Sequence, residues 1–285
     1  MGRTCFTLRA GTHSLALGER TLVMGIVNVT PDSFSDGGAF FDPGAAIEHG
    51  LRLAAEGADI LDVGGESTRP GAAPVPLEEE LRRVVPVVRG LAACCAVPVS
   101  VDTTKAAVAR AALAEGAAIV NDVSALRFDP ALGPVVAAAG AALVLMHMRG
   151  EPRTMQQGPR YDDLLGEVRA ELAVALARAA AAGVDPARTI VDPGIGFGKS
   201  LEHNLELLER LGELEALGRP VLVGPSRKSF IGGITGAPPA ERVEGTIAAC
   251  CLAAARGAHA VRVHDVAAVR RALTVADAIL ARGAA

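Results

Sequence analysis

Polar residues recur in this chain at the ends of short apolar runs: Asn28, Asp62, Asp102, Asn121, His147, Asp192, Ser226 to Lys228, and Arg262 to His264. Their types limit the chemistry. An ionised carboxylate accepts two N–H groups at once, and a side-chain amide offers a donor beside an acceptor. Taken singly, each acid is as often a helix cap as a ligand contact. Convergence of Asp102, Asn121 and Asp192 on neighbouring runs points instead to binding. Arg262 and His264 share one face of an extended segment by the two-residue period, as an anion clamp would. Lys228 raises the question of an aldolase-type Schiff base, which needs a desolvated amine. Arg227 alongside it and the flanking serines favour contacts to anions and ligand oxygens. No obvious nucleophile–base pair such as Ser–His stands in the sequence. Gly198-Lys199-Ser200 mimics the end of a phosphate-binding loop, but Pro193 occupies the place of its first glycine. The alternating glycines also lack dinucleotide-fingerprint spacing, so neither nucleotide reading holds.

Elements that could bring these residues together follow a regular rhythm. Short β-rich runs are predicted at Val23–Val29, Asp59–Val63, Val99–Asp102, Ala118–Asn121, Ala142–Met146, Thr189–Asp192, Val221–Gly224 and Ala260–Val263. Helical stretches fill the gaps, including Pro43–Glu56, Leu77–Leu91, Asp163–Ala182, Leu201–Ala216, Glu241–Arg256 and Val266–Arg282. The spacing of Leu201, Leu205, Leu208 and Leu211 predicts one apolar helix face. Eight βα units in series predict an α/β fold, a closed (β/α)8 TIM barrel, over an open doubly wound sheet. Residues 1–20 read as a short N-terminal hairpin plugging the lower end, and 21–285 as the barrel, together a single domain. In such barrels function sits where strands end and loops begin, which is where the polar positions fall.

Composition agrees. Half of the 285 residues are hydrophobic, enough for a large core, and a net charge of −4 argues against a polyanionic partner such as nucleic acid. The N-terminus lacks the apolar core of a signal peptide, and no apolar run reaches the ~20 residues of a membrane span. A cytoplasmic protein is expected. Cys5 and the adjacent pairs Cys94–Cys95 and Cys250–Cys251 offer no C-x-x-C spacing, so reduced thiols are expected.

Six separated segments carry a resemblance. Gly25-Ile-Val-Asn28-Val-Thr-Pro-Asp-Ser-Phe34-Ser-Asp36-Gly-Gly38 resembles the first signature of the dihydropteroate synthases, and Asp62-Val-Gly-Gly-Glu-Ser-Thr68-Arg69-Pro70-Gly71 the second. Leu145-Met146-His147-Met-Arg149-Gly, Asp192-Pro-Gly-Ile-Gly-Phe197-Gly-Lys-Ser200, Ser226-Arg-Lys228 and Arg262-Val-His264 follow in the family's order. The likeness runs from Val23 to about Val266, with Ile195 standing where many relatives carry Phe.

The resemblance implies an enzyme that condenses 6-hydroxymethyl-7,8-dihydropterin pyrophosphate with p-aminobenzoate, giving 7,8-dihydropteroate and pyrophosphate. It implies a pterin site of Asp102, Asn121, Met146, Asp192, Lys228 and Arg262. A p-aminobenzoate site would use Thr68, Arg69, Pro70, Phe197 and Ser226. Pyrophosphate would meet Asn28, Arg69, Arg262 and His264, with Mg²⁺ as cofactor on Asn28. Phe34 and Asp36, with Asn28, Lys228, Arg262 and His264, would complete the catalytic set. A homodimer, sulfonamide competition and a dissociative, carbocation-like path are implied in the same way. Two rivals differ in class. A methyltetrahydrofolate-binding methyltransferase shares the barrel but needs no pyrophosphate clamp, and a pterin-binding paralogue would bind without turnover.

Overall fold

The computed structural model describes residues 3–29, 42–67, 71–151 and 154–282. The expected site residues Phe34, Asp36, Thr68, Arg69 and Pro70 lie outside the described residues. The chain starts with two antiparallel strands, β1 (Phe6–Ala10) and β2 (His13–Leu17), paired from Phe6↔Leu17 to Ala10↔His13. Gly11 supplies the left-handed turn between them, at φ +56°.

Eight parallel strands follow: β3 (Leu22–Asn28), β4 (Ile60–Gly64), β5 (Val99–Asp102), β6 (Ile119–Asp122), β7 (Ala142–Met146), β8 (Thr189–Asp192), β9 (Leu222–Val223) and β10 (Ala260–Val263). Their hydrogen-bonded order is β8-β7-β6-β5-β4-β3-β10-β9. A parallel bridge between Val191 and Val221 joins the two ends, so the sheet closes into a barrel. Helices α1 (Pro43–Ala55), α2 (Leu77–Cys94), α3 (Ala106–Ala114), α4 (Leu132–Ala139), α5 (Leu164–Ala181), α6 (Leu201–Glu209), α7 (Ser229–Thr235), α8 (Val243–Ala255) and α9 (Val266–Arg282) surround it.

Alternation along the strands sorts the side chains into layers. Val23, Leu61, Val63, Val101, Val120, Leu143, Val261 and Val263 face the helices and pack in the outer core. The intervening positions face inward. At the lower end they are apolar: Leu22, Met24, Ile60, Ile119, Val144, Ile190 and Leu222 join Leu8, Ala10 and Leu17 of the hairpin in one cluster. The hairpin is therefore the plug that the sequence predicts. At the upper end the same inward rows become Asn28, Asp62, Asp102, Asn121, Met146, Asp192 and Arg262.

Two local expectations change. The single helix expected over Leu201–Ala216 stops at Glu209 and resumes as a 3₁₀ segment, Leu211–Leu217. Its buried face also differs from the leucine stripe, because Leu205 is 41% exposed. Asn204, Leu207 and Leu208 turn inward instead. Asn204 belongs there because its Oδ1 accepts the Gly196 N–H at 2.6 Å, tying α6 to the preceding loop.

Leu8 is 1% exposed at the centre of the plug. Leu8→Ala should lower unfolding free energy by about 2–5 kcal/mol, read as a lower denaturant midpoint. A midpoint equal to wild type would remove the hairpin from the core.

Candidate active site

The upper mouth of the barrel is built around one arginine. Arg262, on the inward face of β10, donates from Nε to Asp62 Oδ2 at 2.6 Å and from Nη2 to Asp102 Oδ2 at 2.8 Å. Asn121 Nδ2 donates to the same Asp62 oxygen at 3.0 Å. The four residues come from β10, β4, β5 and β6 and form a continuous polar floor. Burial pushes the Asp102 carboxyl well above its ordinary range, the Arg262 guanidinium opposes that, and Asp62 adds like-charge pressure. Among the described residues, Asp62 Oδ1 and Ser100 Oγ are buried without a hydrogen-bond partner, on paired positions of β4 and β5.

Asp192 closes the floor from β8. Its Oδ1 accepts the Gly194 N–H at 2.7 Å. Each carboxylate oxygen has two acceptor sites, so this bond orients the group without exhausting it. Burial raises its pKa to about 6, against the pull of the Gly194 N–H and of Lys228. Met146 lies beside it in an apolar wall with Val123, Met148, Met155 and Phe197.

The loop after β8 is laid tightly across this wall. Gly194, Gly196 and Gly198 all take positive φ, of +70°, +81° and +64°. At Gly194 a Cβ would stand 1.9 Å from the His147 carbonyl oxygen, so only glycine fits. The loop's backbone is held from several sides: Gln156 Nε2 donates to Gly196 O at 2.6 Å, and Tyr161 Oη to Gly198 O at 2.9 Å. Lys228 Nζ sits 4.0 Å from the centre of the Phe197 ring, a cation–π contact.

The loop after β9 carries Ser226 and Lys228 and passes through Arg227, whose φ is +56°. Such a conformation costs a non-glycine residue roughly 1–3 kcal/mol. It is over-determined here: the Arg227 N–H donates to Thr246 Oγ1 at 3.0 Å, and its guanidinium grips Asp265 at 3.0 and 2.6 Å. Ser226 Oγ lies 2.9 Å from His264 Nδ1 and accepts the His264 N–H at 3.1 Å. Ser226 and His264 thus form one unit across β9 and β10.

Beside this unit lies a groove of about 680 Å³ lined by Asn28, His49, Arg52, Arg227, His264, Asp265 and Arg271, among others. With Arg52, Arg227 and Arg271 set against Asp265 and Glu56, the lining is net positive and suits an anion. Among the described residues no group of three or more metal-ligating side chains gathers. Asn28 supplies one amide oxygen and Asp265 is taken by Arg227. That donor set fits Mg²⁺ only if the ion arrives with phosphate oxygens and water, which is its usual habit.

Comparison with known proteins agrees with this geometry. Residues 24–264 match the family model described as pterin binding enzyme. The chain is 52% identical over 263 residues to the dihydropteroate synthase of Synechocystis sp., covering 92% of this chain and 91% of that protein. The chain belongs to the dihydropteroate synthase family. The Xanthomonas albilineans dihydropteroate synthase with 4-aminobenzoic acid superposes at a TM-score of 0.91, with 53% identity over 98% of this chain and 99% of that one. The same enzyme in complex with 7,8-dihydropteroate superposes at 0.88, with 51% identity over 96% of this chain and 99% of that one.

The structure brings Asp102, Asn121, Met146, Asp192, Phe197, Lys228 and Arg262 to one mouth. It sets Asn28, Ser226 and His264 along the groove at its edge. Arg262 and His264 share a face as their spacing predicts. They are not a bare pair, however, since Arg262 is bound by two acids and His264 by Ser226. Asp62 was visible in the sequence only as a strand-end acid, and its position opposite Arg262 needs the closed barrel. Lys199, set aside with the phosphate-loop reading, is also buried here.

Gly194→Ala should cost at least about 1–2 kcal/mol from the left-handed backbone alone, and the contact with His147 adds to that. A fall in denaturant midpoint accompanied by weaker p-aminobenzoate binding is expected. Wild-type values for both would show that the loop accommodates a Cβ.

Proposed function

We propose that the chain is the enzyme that condenses 6-hydroxymethyl-7,8-dihydropterin pyrophosphate with p-aminobenzoate to 7,8-dihydropteroate and pyrophosphate. The observation that carries this reading is a buried floor of hydrogen-bonding groups, Asp62, Asp102, Asn121 and Asp192, together with a net-positive groove at Asn28 and His264, at the ends of the same barrel's β3 and β10. The floor matches a donor-rich ring edge and the groove a diphosphate. A relative more than half identical has been crystallised with the product.

In this reading Asp192 accepts the ring N–H and exocyclic amine of the pterin side by side. Asn121 serves the remaining ring nitrogens, Asp102 and Arg262 the edge between, and Met146 a ring face. Lys228 reaches the pterin oxygen from its place over Phe197. The aryl amine of p-aminobenzoate is neutral near pH 7 and already nucleophilic, so no strong general base is needed. The demanding step is loss of diphosphate, and residues that hold it lower the barrier electrostatically. Arg262 and His264 meet that charge, and Asn28 would help hold Mg²⁺ at the diphosphate. The ion supplies further positive charge to the leaving group when bound. The acids of the floor stabilise positive charge spread from the methylene into the pterin ring, which favours a dissociative path. Phe197 and Ser226 border the p-aminobenzoate site, and Thr68, Arg69 and Pro70 complete it. Phe34 and Asp36 belong to the catalytic set on the strength of the family motif.

Two further readings go beyond the site. A cytoplasmic location is proposed from the family resemblance alone; separately, among the described residues no helix is long and apolar enough to cross a membrane. Helices α8 and α9 pack together and expose Leu252, Val275 and Ile279 at 54%, 61% and 67%. Apolar residues so exposed support a homodimer through these helices.

The deciding assay is pyrophosphate release from the purified chain with Mg²⁺ and pterin pyrophosphate, with and without p-aminobenzoate. Release coupled to dihydropteroate formation is expected. Tight pterin binding with no turnover would favour the non-catalytic paralogue. Asp192→Asn turns one acceptor into a donor and should weaken pterin binding by about 10- to 100-fold. Unchanged affinity would remove Asp192 from its role. Because burial sets the Asp192 pKa at about 6, the carboxylate is lost as pH falls through that value. Pterin affinity measured by calorimetry should therefore drop between pH 7 and 5.

A further inference from the structure

One buried cation takes no part in the reading above. Lys199 is 2% exposed, beneath the loop that carries Phe197. Its Nζ lies 3.0 Å from the Phe197 carbonyl oxygen and 2.9 Å from His147 Nδ1. Among the described residues it makes no ion pair with a carboxylate, an expensive condition for a buried ammonium. A methionine would fill the same space more cheaply but would leave the Phe197 carbonyl unmatched.

The contacts around it define a direction. An ammonium can only donate, so His147 Nδ1 accepts and the imidazole proton sits on Nε2. Nε2 stands 3.1 Å from Glu171 Oε2, close enough for attraction but out of line for a hydrogen bond. Burial, with Lys199 beside it, holds His147 neutral, its pKa lowered to about 4. Glu171 in turn meets Arg149, whose guanidinium lies over the Tyr161 ring. A line of polar contacts thus runs from the half-exposed Glu171 through His147 and Lys199 to the backbone of Phe197.

We propose that Lys199 is a positioning residue: it pins the Phe197 carbonyl against His147, so holding the Phe197 ring against Lys228, and, because the His147 backbone N–H donates to the Asp192 carbonyl oxygen at 2.8 Å, it places positive charge near Asp192. The groups that face it are Asp192 and Glu171, which favour its charge, and Arg149 and Lys228, which oppose it. His147 and Tyr161 complete the surroundings. Burial dominates and brings its own pKa down to about 7.

The proposal rests on the synthase reading for its kinetic readout and on direct pterin binding for an independent one. Lys199→Met should raise KM for p-aminobenzoate about tenfold with a smaller change in kcat. The acid limb of pterin affinity should move up by about half a pH unit, because Asp192 loses a favourable charge. Lys199→Arg should restore the acid limb. A KM within twofold of wild type and an unmoved acid limb in folded Lys199→Met would overturn the proposal. Should that variant not fold, Glu171→Gln on the half-exposed end decides. It removes a charge that helps Lys199 hold its proton, so the alkaline limb of kcat/KM for p-aminobenzoate should move to lower pH. An alkaline limb identical to wild type would overturn the proposal equally. If wild type makes no dihydropteroate, the synthase reading fails, and the pH dependence of pterin binding in Lys199→Met still judges the lysine.

Discussion

A guanidinium placed between two buried carboxylates organises the mouth of this barrel. Arg262 touches Asp62 and Asp102 at once, and Asn121 completes the Asp62 end. None of these groups is tolerable alone in that position, since an isolated buried charge costs several kcal/mol. Together they offset one another's charge, with Asp62 Oδ1 left without a partner among the described residues, and they link β10, β4, β5 and β6 above the apolar plug. Closure of the barrel is what makes the arrangement possible, because β10 and β5 meet across the interior and not as neighbours in the sheet.

The strand ends around that floor are braced by loops that admit little variation. Three left-handed glycines lay the loop after β8 against β7, while Arg227 holds the loop after β9 through Thr246 and Asp265. Such bracing keeps hydrogen-bonding groups aimed before any ligand arrives, which is how electrostatic stabilisation avoids the cost of reorganisation.

Much of this was legible in the chain itself. Two-residue alternation with polar strand ends placed Asp102, Asn121, Asp192 and Arg262 inside a barrel mouth, and all eight barrel strands fall within one residue of their predicted limits at both ends. The family motifs then supplied roles that periodicity alone could not. What remained hidden depends on tertiary contact. The leucine stripe of α6 misled because Leu205 and Asn204 differ in hydrophobicity in the opposite sense to their burial; a backbone N–H of the preceding loop pulls Asn204 inward. Lys199 takes no role from the sequence once the nucleotide reading fails, because nothing local reveals His147, fifty-two residues away, as its partner. Ser226 and His264 likewise find each other only because β9 and β10 are adjacent.

Strand β9 has only two residues, paired to β10 at Leu222 and Val223 and to β8 through a single bridge. The barrel is therefore stapled shut at one seam by far fewer backbone bonds than elsewhere. Amide protons along this seam should exchange by local opening, and those of β3 to β7 by more global unfolding. The segment bearing Ser226 and Lys228 therefore owes its position less to strand pairing than to the bonds of Arg227 with Thr246 and Asp265 and of Ser226 with His264.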